Sequence, residues 1–442
     1  MAGQGWHDPA VGHGAFPIRS AALVLSYASA AKAMRGHGSR SAAALATEGT
    51  RGRSSPPLVR IEILVLRRSG FRARSERDGL SSLRCPDAPF GHLQRLTDNV
   101  GLLQHADGVV PLHTDGYSVE DVAHGLLVVC REPSPPQELV VLGRRYLYFL
   151  TQAQELGGRF RNHLGYDRQW RGQPGTEDSW GCALWALGTA ATRGPTTGIR
   201  EESFMRFSRG ARVSSPSAHA MAFAALGAAE ILDSRPGHHA ALALLYRAHV
   251  AIGTPAADAG WPWPMPRLSY ASAAIAEAVI VSGHYLGDDR LLRKGLRMLE
   301  WLLATETRDG HLSVISRQGW SPGDAAHLPA SDQRPAEVAA LADACMRAAT
   351  VTADDTWLAG VRMCVAWFLG DNDAKVPLFD ERTGGCSDGL TSVGRSRNQG
   401  AESTLAMIAV LQHGRRMAAA SAPTSVGQDA PPPGAAIRTT RD

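Results

Sequence analysis

The sequence lacks paired cysteines. Its six cysteines include no CxxC pair and no spacing typical of metal ligands. Such scattered cysteines are most often small buried apolar groups. We therefore expect reduced, mostly buried thiols and no disulfide framework.

Long apolar runs are missing as well. No segment approaches the roughly 18 apolar residues that a membrane-spanning helix needs, so we expect no membrane segment. The apolar stretch 21–31 lies behind a start that contains proline and glycine, which is not typical of a signal peptide. The sequence favours a cytoplasmic protein.

Lysine is scarce beside arginine, and the formal net charge is only +4. The arginines cluster in the first 85 positions and at the extreme C-terminus, so the central region is closer to neutral. That distribution argues against a nucleic-acid partner. No Walker or dinucleotide glycine motif follows a predicted strand, and His105, His113 and His163 lack metal-ligand spacing. We expect neither a metal nor an organic cofactor.

Composition divides the chain into three parts. Residues 1–85 are rich in Gly, Ala, Ser and Arg, which predicts a disordered extension or an overextended translation start. Residues 417–442 contain three consecutive prolines at 431–433 and no apolar pattern, which predicts a disordered tail. Between them, 86–416 is predicted to form one folded domain, and the 44% hydrophobic content of the chain suffices for a sizeable core.

Apolar residues in this central region recur at helical spacing. The first example comprises Val122, Ala123, Leu126, Leu127 and Cys130. Helix starts, stops and proline breaks predict five helical pairs and one final helix, at 120–130 with 137–155, 178–191 with 201–208, 217–232 with 238–252, 270–285 with 289–304, 335–350 with 354–369, and 399–412.

Two arrangements of such pairs are possible, an open solenoid and a closed ring. Solenoid connections are usually short. Here the segments before alternate helices are long and rich in Trp, Gly, Asp and Asn, which suits a cleft at one face of a ring. The sequence therefore predicts an all-α protein with an (α/α)6 toroid of helical hairpins, of which the sixth is incomplete.

Carboxylates precede or open several of these helices, with Trp or Tyr nearby. Sugars stack on aromatic rings while carboxylates and amides bind their hydroxyl groups, and cleavage of a glycosidic bond needs two carboxyl groups. Candidates for the carboxyl groups are Asp121, Glu177, Asp178, Asp332 and Glu402. Candidates for saccharide binding are Tyr117, Asp167, Arg168, Trp170, Trp263, Trp320, Arg334, Asn398 and Gln399.

Each of these residues also has a structural interpretation. Acidic residues at helix starts are ordinary caps that interact with the positive end of the helix dipole. The segment WPWP at 261–264 is equally typical of a rigid aromatic wall and of a loop plugged into the core.

Four ordered motifs resemble a bacterial family commonly labelled glycosyltransferase. They are LTDNVGLLQHA at 96–106, GYSVED at 116–121, EDSWGCALWALG at 177–188 and NQGAESTLA at 398–406. The helical domain of that family is placed in the six-hairpin glycosidase-like superfamily. The resemblance implies an (α/α)6 toroid that cleaves or transfers a glycosidic bond of an oligosaccharide or glycan, as a glycoside hydrolase or beside a glycosyltransferase. Some members carry a nucleotide-sugar glycosyltransferase domain before it, so a separate glycosyltransferase is a possible partner here.

The sequence departs from that family at three places. Pro264-Met265-Pro266 and Tyr270-Ala271-Ser272 stand where relatives tend to carry acidic and amide side chains, and EDVAH at 120–124 replaces a DDNAR-like segment. Three classes of function follow from these observations. They are an enzyme acting on glycosidic bonds, a catalytically impaired glycan-binding or partner protein, and a helical-repeat scaffold without a sugar site.

Overall fold

The structure is a computed structural model that describes residues 85–322, 324 and 331–421. The predictions for residues 1–84 and 422–442 lie outside the described residues. Within the described part no helix is long and apolar enough to span a membrane. Five of the six cysteines are buried, Cys85 is half-buried, and none forms a disulfide there, as the scattered cysteine pattern predicts.

Helices dominate the described residues. In chain order they are α1 (Gly91–Leu96), α2 (Val119–Arg131), α3 (Gln137–Ala153), α4 (Asp178–Arg193), α5 (Thr197–Gly210), α6 (Ala218–Ser234), α7 (His239–Ile252), α8 (Ser272–Leu286), α9 (Asp289–Thr305), α10 (Pro335–Thr352), α11 (Leu358–Phe368) and α12 (Ala401–Ser421). Short 3-10 turns occupy His113–Asp115 and Asp355–Trp357. Helix α12 runs beyond residue 417, where the sequence predicts the start of a tail.

The strands are short antiparallel ladders within the connecting loops. They pair as β1 (Ala106–Asp107) with β2 (Val110–Pro111), β3 (Tyr117–Ser118) with β4 (His163–Leu164) and β5 (Trp170–Arg171), β6 (Thr307–Arg308) with β7 (His311–Leu312), β8 (Phe379–Asp380) with β9 (Gly385–Cys386), and β10 (Leu390–Thr391) with β11 (Gly394–Arg395).

Six helices form a closed inner ring. In the order α2, α4, α6, α8, α10 and α12, each packs against the next, and α12 packs against α2. Helices α3, α5, α7, α9 and α11 lie outside, each against the inner helix that precedes it. Among the described residues α12 is followed by no outer helix, and the short α1 packs beside it. Closure of the ring confirms the predicted toroid over the open solenoid.

Small residues allow the inner helices to approach closely. A Cβ atom added at Gly181 of α4 would overlap the backbone of Ala220 in α6, and one at Gly188 would overlap the backbone of Gly227. Because no side chain separates the backbones at these points, α4 and α6 pack nearly in contact. The Ala- and Gly-rich sequence of these helices follows from that geometry.

Ion pairs occupy the interior of the ring beyond the first turns of the inner helices. Arg347 of α10 contacts Glu230 at 2.9 Å, Asp233 at 3.3 Å and Glu277 at 3.4 Å. Asp343, on the same helix, accepts hydrogen bonds from Arg131 at 2.6 Å and from His413 at 2.7 Å. The inner helices are therefore joined across the axis by charged groups as well as by apolar packing.

All six inner helices begin at the same end of the ring. Each outer helix returns the chain, so consecutive inner helices run in the same direction. The long segments 154–177, 253–271, 306–334 and 369–400 each lead into an inner helix. We call this end of the ring, with the first turns of the six inner helices, the mouth.

The residues after two inner helices provide a stability prediction. Ala353, after α10, is exposed with φ 51°, and Gly287, after α8, has φ 70°. A left-handed conformation costs alanine about 1–2 kcal/mol. Glycine avoids this cost, but its greater conformational entropy in the unfolded state offsets part of the gain in stability. Ala353→Gly should therefore stabilise the protein by about 0.5–1 kcal/mol, and Gly287→Ala should destabilise it by a similar amount. Urea unfolding measures both, and a shift of the same sign in the two variants would contradict the argument.

Candidate active site

At the mouth, a polar or aromatic side chain lies at the start of each inner helix or just before it. Glu120 carries a charge close enough to interact with Glu402, Asp178 and Arg334, which belong to three other parts of the ring. The contributing residues, one for each inner helix in turn, are Glu120, Asp178, His219, Tyr270, Arg334 and Glu402. Residues scattered over most of the described chain therefore share one electrostatic environment.

Glu120 lies in the first turn of α2 and is partly buried. Burial raises the pKa of its carboxyl to about 7, and the charges of Glu402 and Asp178 act in the same direction. Arg334 opposes them. Its neighbour Asp121 is buried in the wall of the ring, where desolvation and then Glu402 raise its pKa well above the usual range.

Glu337 is the second carboxyl group with a raised pKa at the mouth. It lies in the first turn of α10, after Pro335 has opened the helix. Its Oε2 accepts a hydrogen bond from the backbone N–H of Ala271 at 2.8 Å. Burial is the largest cause of a pKa of about 8, and the charge of the nearby Glu306 adds to it. This group is therefore mainly protonated at neutral pH.

Asp178 is held by two hydroxyl groups. Ser217 Oγ donates to it at 3.2 Å, and the Tyr270 hydroxyl also donates to it. The Tyr270 ring stacks on His219 with centroids 4.4 Å apart, and Tyr270 is 44% exposed. Burial lowers the pKa of His219, so its imidazole is neutral at physiological pH. The arrangement presents an aromatic ring beside a fixed carboxylate.

Arg334 and Glu402 form an ion pair across two neighbouring inner helices. Arg334 lies just before α10, and Glu402 is exposed in the first turn of α12. The Arg334 charge also acts on Glu120 and Glu337. Arg334 therefore lies among several carboxyl groups.

Glu120 also belongs to a set of side chains that suit a metal ion. Glu120, His124 and Cys182 each offer one ligand atom, and these atoms all lie within 4.8 Å of one another. The spacing Glu120–His124 is one helical turn, and Cys182 comes from the adjacent α4.

Four of the predicted site residues lie in the loops beside α2. Tyr117 is buried, its hydroxyl donates to Asp98 at 2.5 Å, and Arg168 donates to Tyr117 at 2.5 Å. Asp167 is exposed and pairs with Arg171 at 2.7 Å. The partly buried Trp170 packs against Phe149 with centroids 5.4 Å apart. Their contacts are those of loop packing.

The tryptophans of the WPWP segment pack onto the outside of the ring. Trp263 is 2% exposed and lies 6.0 Å from Trp301 of the outer helix α9. Trp320 lies 5.7 Å from Trp261, and its backbone pairs with Leu268. The cluster anchors the segment to the core. Of the two interpretations of WPWP, a loop plugged into the core therefore applies to Trp263.

The remaining predicted residues hold loops or face solvent. Asn398 Oδ1 accepts the N–H of Gly108 at 3.0 Å, and buried Gln399 accepts the hydroxyl of Thr383 at 2.7 Å. Glu177 and Asp332 are exposed, and Asp332 bonds Leu390 only through backbone atoms among the hydrogen bonds described. Of the predicted candidates, the mouth thus combines Asp178, Arg334 and Glu402, and Asp121 is buried in the wall beside them.

Sequence reasoning did not select Glu120, His219, Tyr270 or Glu337 as site residues. Glu120 is adjacent to the candidate Asp121, and the two side chains point about 100° apart on a helix. Glu337 occupies the third position of α10, where a glutamate is typical of a helix cap. The only signal for these residues was their position in the first turn of an inner helix or, for Tyr270, just before it.

No family model and no curated protein matches the chain. Three solved structures have a similar fold. They are a sugar epimerase from a ruminal bacterium (TM-score 0.54, 12% identity, 74% of this chain and 95% of that one), the cellobiose 2-epimerase of Bacillus thermoamylovorans B4167 (0.54, 10%, 74% and 96%) and a D-mannose isomerase (0.52, 12%, 74% and 94%).

These similarities identify the class of fold. The described residues have the (α/α)6, six-hairpin glycosidase-like fold, as the sequence predicts. At such low identity the likeness shows the fold alone. The resemblance to the family labelled glycosyltransferase stays a prediction.

Proposed function

We propose that the protein is an enzyme that cleaves or transfers a glycosidic bond at the mouth of the toroid. The observation that carries this proposal is the convergence of Glu337, Glu402 and Asp178, from three inner helices, beside the half-exposed ring of Tyr270. A proton donor, a carboxylate and an aromatic surface are the groups that glycosidic chemistry on a saccharide requires.

Glu337 is the proposed proton donor. Its pKa of about 8 keeps it protonated at neutral pH, which a general acid requires. The N–H of Ala271 fixes one carboxyl oxygen and so orients the group.

Glu402 is the proposed partner as base or nucleophile. The ion pair with Arg334 holds its side chain near α10, and its charge reaches Glu337. When Glu337 protonates the leaving oxygen, the second carboxylate either activates water or attacks the sugar carbon. Hydrolysis, phosphorolysis and transfer share this first step and differ in the acceptor.

Tyr270 and Asp178 are the proposed sugar-binding pair. A ring that is 44% exposed and backed by His219 offers one flat face to a pyranose, since stacking uses the apolar face of the sugar. Asp178 beside it accepts hydrogen bonds already from Ser217 and Tyr270, and a carboxylate has lone pairs for a sugar hydroxyl as well.

The experiment is a product-release screen of the full chain against manno-, gluco- and galacto-oligosaccharides, with and without phosphate. We expect release of sugar, and loss of that release in Glu402→Gln. Asp332→Asn, an exposed carboxylate on a loop, is the matched variant and should retain the parent's rate. Stabilisation by a sugar without turnover would support the impaired glycan-binding protein instead. If the chain showed no binding of any sugar and no turnover, that result would contradict a saccharide function.

A second candidate is proton transfer at the carbon next to a sugar carbonyl. His219 favours it, because a neutral imidazole beside Asp178 is suited to remove such a proton. The epimerases and the isomerase of similar fold are named for sugar substrates. Deuterium incorporation from D2O into a reducing sugar, without bond cleavage, would favour this reaction over the first.

We also expect a cytoplasmic location and a glycosyltransferase partner. Six cysteines without a disulfide suit a reducing compartment, which supports a cytoplasmic location. The sequence resemblance supports a separate glycosyltransferase as a partner that makes or receives the glycan. Cell fractionation tests the location, and co-purification with a tagged chain tests the partner.

A further inference from the structure

Three different metal-ligating side chains meet inside the mouth. Glu120 and His124 are one turn apart on α2, so both project from the same face of that helix. Cys182 lies on α4, which packs against α2. The carboxylate, imidazole and thiol atoms all lie within 4.8 Å of one another. Two helices of the ring therefore supply one three-sided cluster.

We propose that Glu120, His124 and Cys182 bind a Zn²⁺-type ion and leave its fourth position open to the mouth. Thiolate and imidazole together select zinc-like ions over magnesium or calcium. Three protein ligands with one open position are typical of zinc ions that bind a substrate or water.

The cluster is close to the geometry that such an ion needs. Zinc bonds of about 2.0–2.3 Å at tetrahedral angles separate ligand atoms by about 3.4–3.6 Å. The limit of 4.8 Å exceeds that separation by little more than 1 Å. We expect rotation of the Glu120 and Cys182 side chains to close this difference when the ion binds.

The ring of His124 is packed against an aromatic neighbour. Trp185 lies edge-on to it, with ring centroids 5.9 Å apart. This contact limits rotation of the imidazole away from the cluster.

The surroundings favour a cation. Glu120 interacts with the charges of Glu402, Asp178 and one arginine, Arg334. Cys182 interacts with Asp178 and Asp121 as well as with Glu120. Asp178 is one turn before Cys182 on α4, so a further carboxylate lies on the same side of that helix as the thiol.

Binding is a simple exchange of protons for the metal. Zn²⁺ forms bonds to the carboxylate of Glu120, to a nitrogen of His124 and to the thiolate of Cys182, and any carboxyl or thiol proton present leaves to water. No redox step is involved. We expect the open position of the ion to bind an oxygen atom of the saccharide. This role rests on the proposed function.

Co²⁺ is the probe, because cobalt bound to a thiolate gives a charge-transfer absorption that reports the sulfur ligand directly. The full chain, freed of metal with a chelator, is titrated with Co²⁺ and then with competing Zn²⁺. We expect one equivalent to bind with this absorption. Cys182→Ala should abolish the absorption, and His124→Gln should weaken binding by about 100-fold or more.

Cys130→Ala is the matched control, since Cys130 is also buried but lies at the opposite end of α2. It should bind Co²⁺ like the parent, and Cys386→Ala replaces it if the fold is lost. Absence of binding, or an absorption that survives Cys182→Ala, would overturn the site.

Binding and catalysis are separable in this design. Metal binding without sugar turnover would establish the site and count against the proposed function. Sugar turnover by a chain that binds no metal would overturn the site alone. A sugar that shifts the Co²⁺ spectrum would show that the fourth position faces the substrate.

Discussion

Arg347→Met is expected to lower the free energy of unfolding by about 3–5 kcal/mol, because it leaves buried carboxylates without their cation. The Arg347 side chain is 10% exposed, and its partners Glu230 and Glu277 are 3% and 4% exposed. Burial by itself would raise the pKa of Glu230, but the charges of Arg347 and Arg193 outweigh burial and hold the pKa below its ordinary value.

Arg171→Met is the comparison for that result. Arg171 pairs with Asp167 at 2.7 Å, but both side chains are more than half exposed, so solvent screens the pair and its loss should hardly change stability. Equilibrium unfolding in urea measures both variants, and equal losses would contradict the argument from burial. If Arg347→Met does not fold, Arg347→Lys restores the charge and is expected to fold with reduced stability.

Apolar periodicity predicted the helices well where start signals were present. The predicted starts at 178 and 335 coincide with the observed α4 and α10, because an acidic residue opens the first helix and a proline opens the second. Helix α5 was predicted as 201–208 but spans Thr197–Gly210. Its apolar stripe is weak, since an outer helix packs on one side only.

Closure of the ring could not be predicted from apolar periodicity. A solenoid and a toroid bury the same stripe on each helix, so the apolar pattern is identical in both. The long segments before alternate helices were the only discriminating signal. They do lead to one end of the ring, but most of their aromatic residues, Trp263 among them, pack the loops instead of lining a cleft.

The candidate site was predicted by region more than by residue. Asp178, Arg334 and Glu402 were found because each opens an inner helix. Asp121 was chosen where Glu120 is the side chain that reaches the mouth, since adjacent helix positions differ by about 100° in direction. The pair His124 and Cys182 was missed because its spacing exists only between two helices.

Glu337→Gln is expected to reduce turnover by about 10²–10⁴-fold, the usual contribution of a positioned general acid. The amide is close in size and still accepts the hydrogen bond from Ala271, so binding of the saccharide should change little. In the parent, kcat/KM should fall as pH rises above about 8, where Glu337 loses its proton. The variant's residual activity should lack that alkaline limb.

The same substitution should stabilise the fold at alkaline pH. The pKa of Glu337 is raised from an ordinary 4.5 to about 8 in the folded state, so the folded chain binds the proton more tightly than the unfolded one. This contribution to stability is full below pH 4.5 and is lost as pH rises to about 8. Glutamine does not ionise, so the advantage of Glu337→Gln should grow between these two values.

Glu306→Gln distinguishes a catalytic acid from a merely buried one. Glu306 follows the outer helix α9, is 3% exposed and has a pKa raised by burial to about 8. Its substitution should stabilise the fold at alkaline pH in the same way, with turnover retained. Because the Glu306 charge raises the pKa of Glu337, removing it should shift the alkaline limb of kcat/KM to lower pH. Equal losses of turnover in both variants would assign Glu337 a structural role.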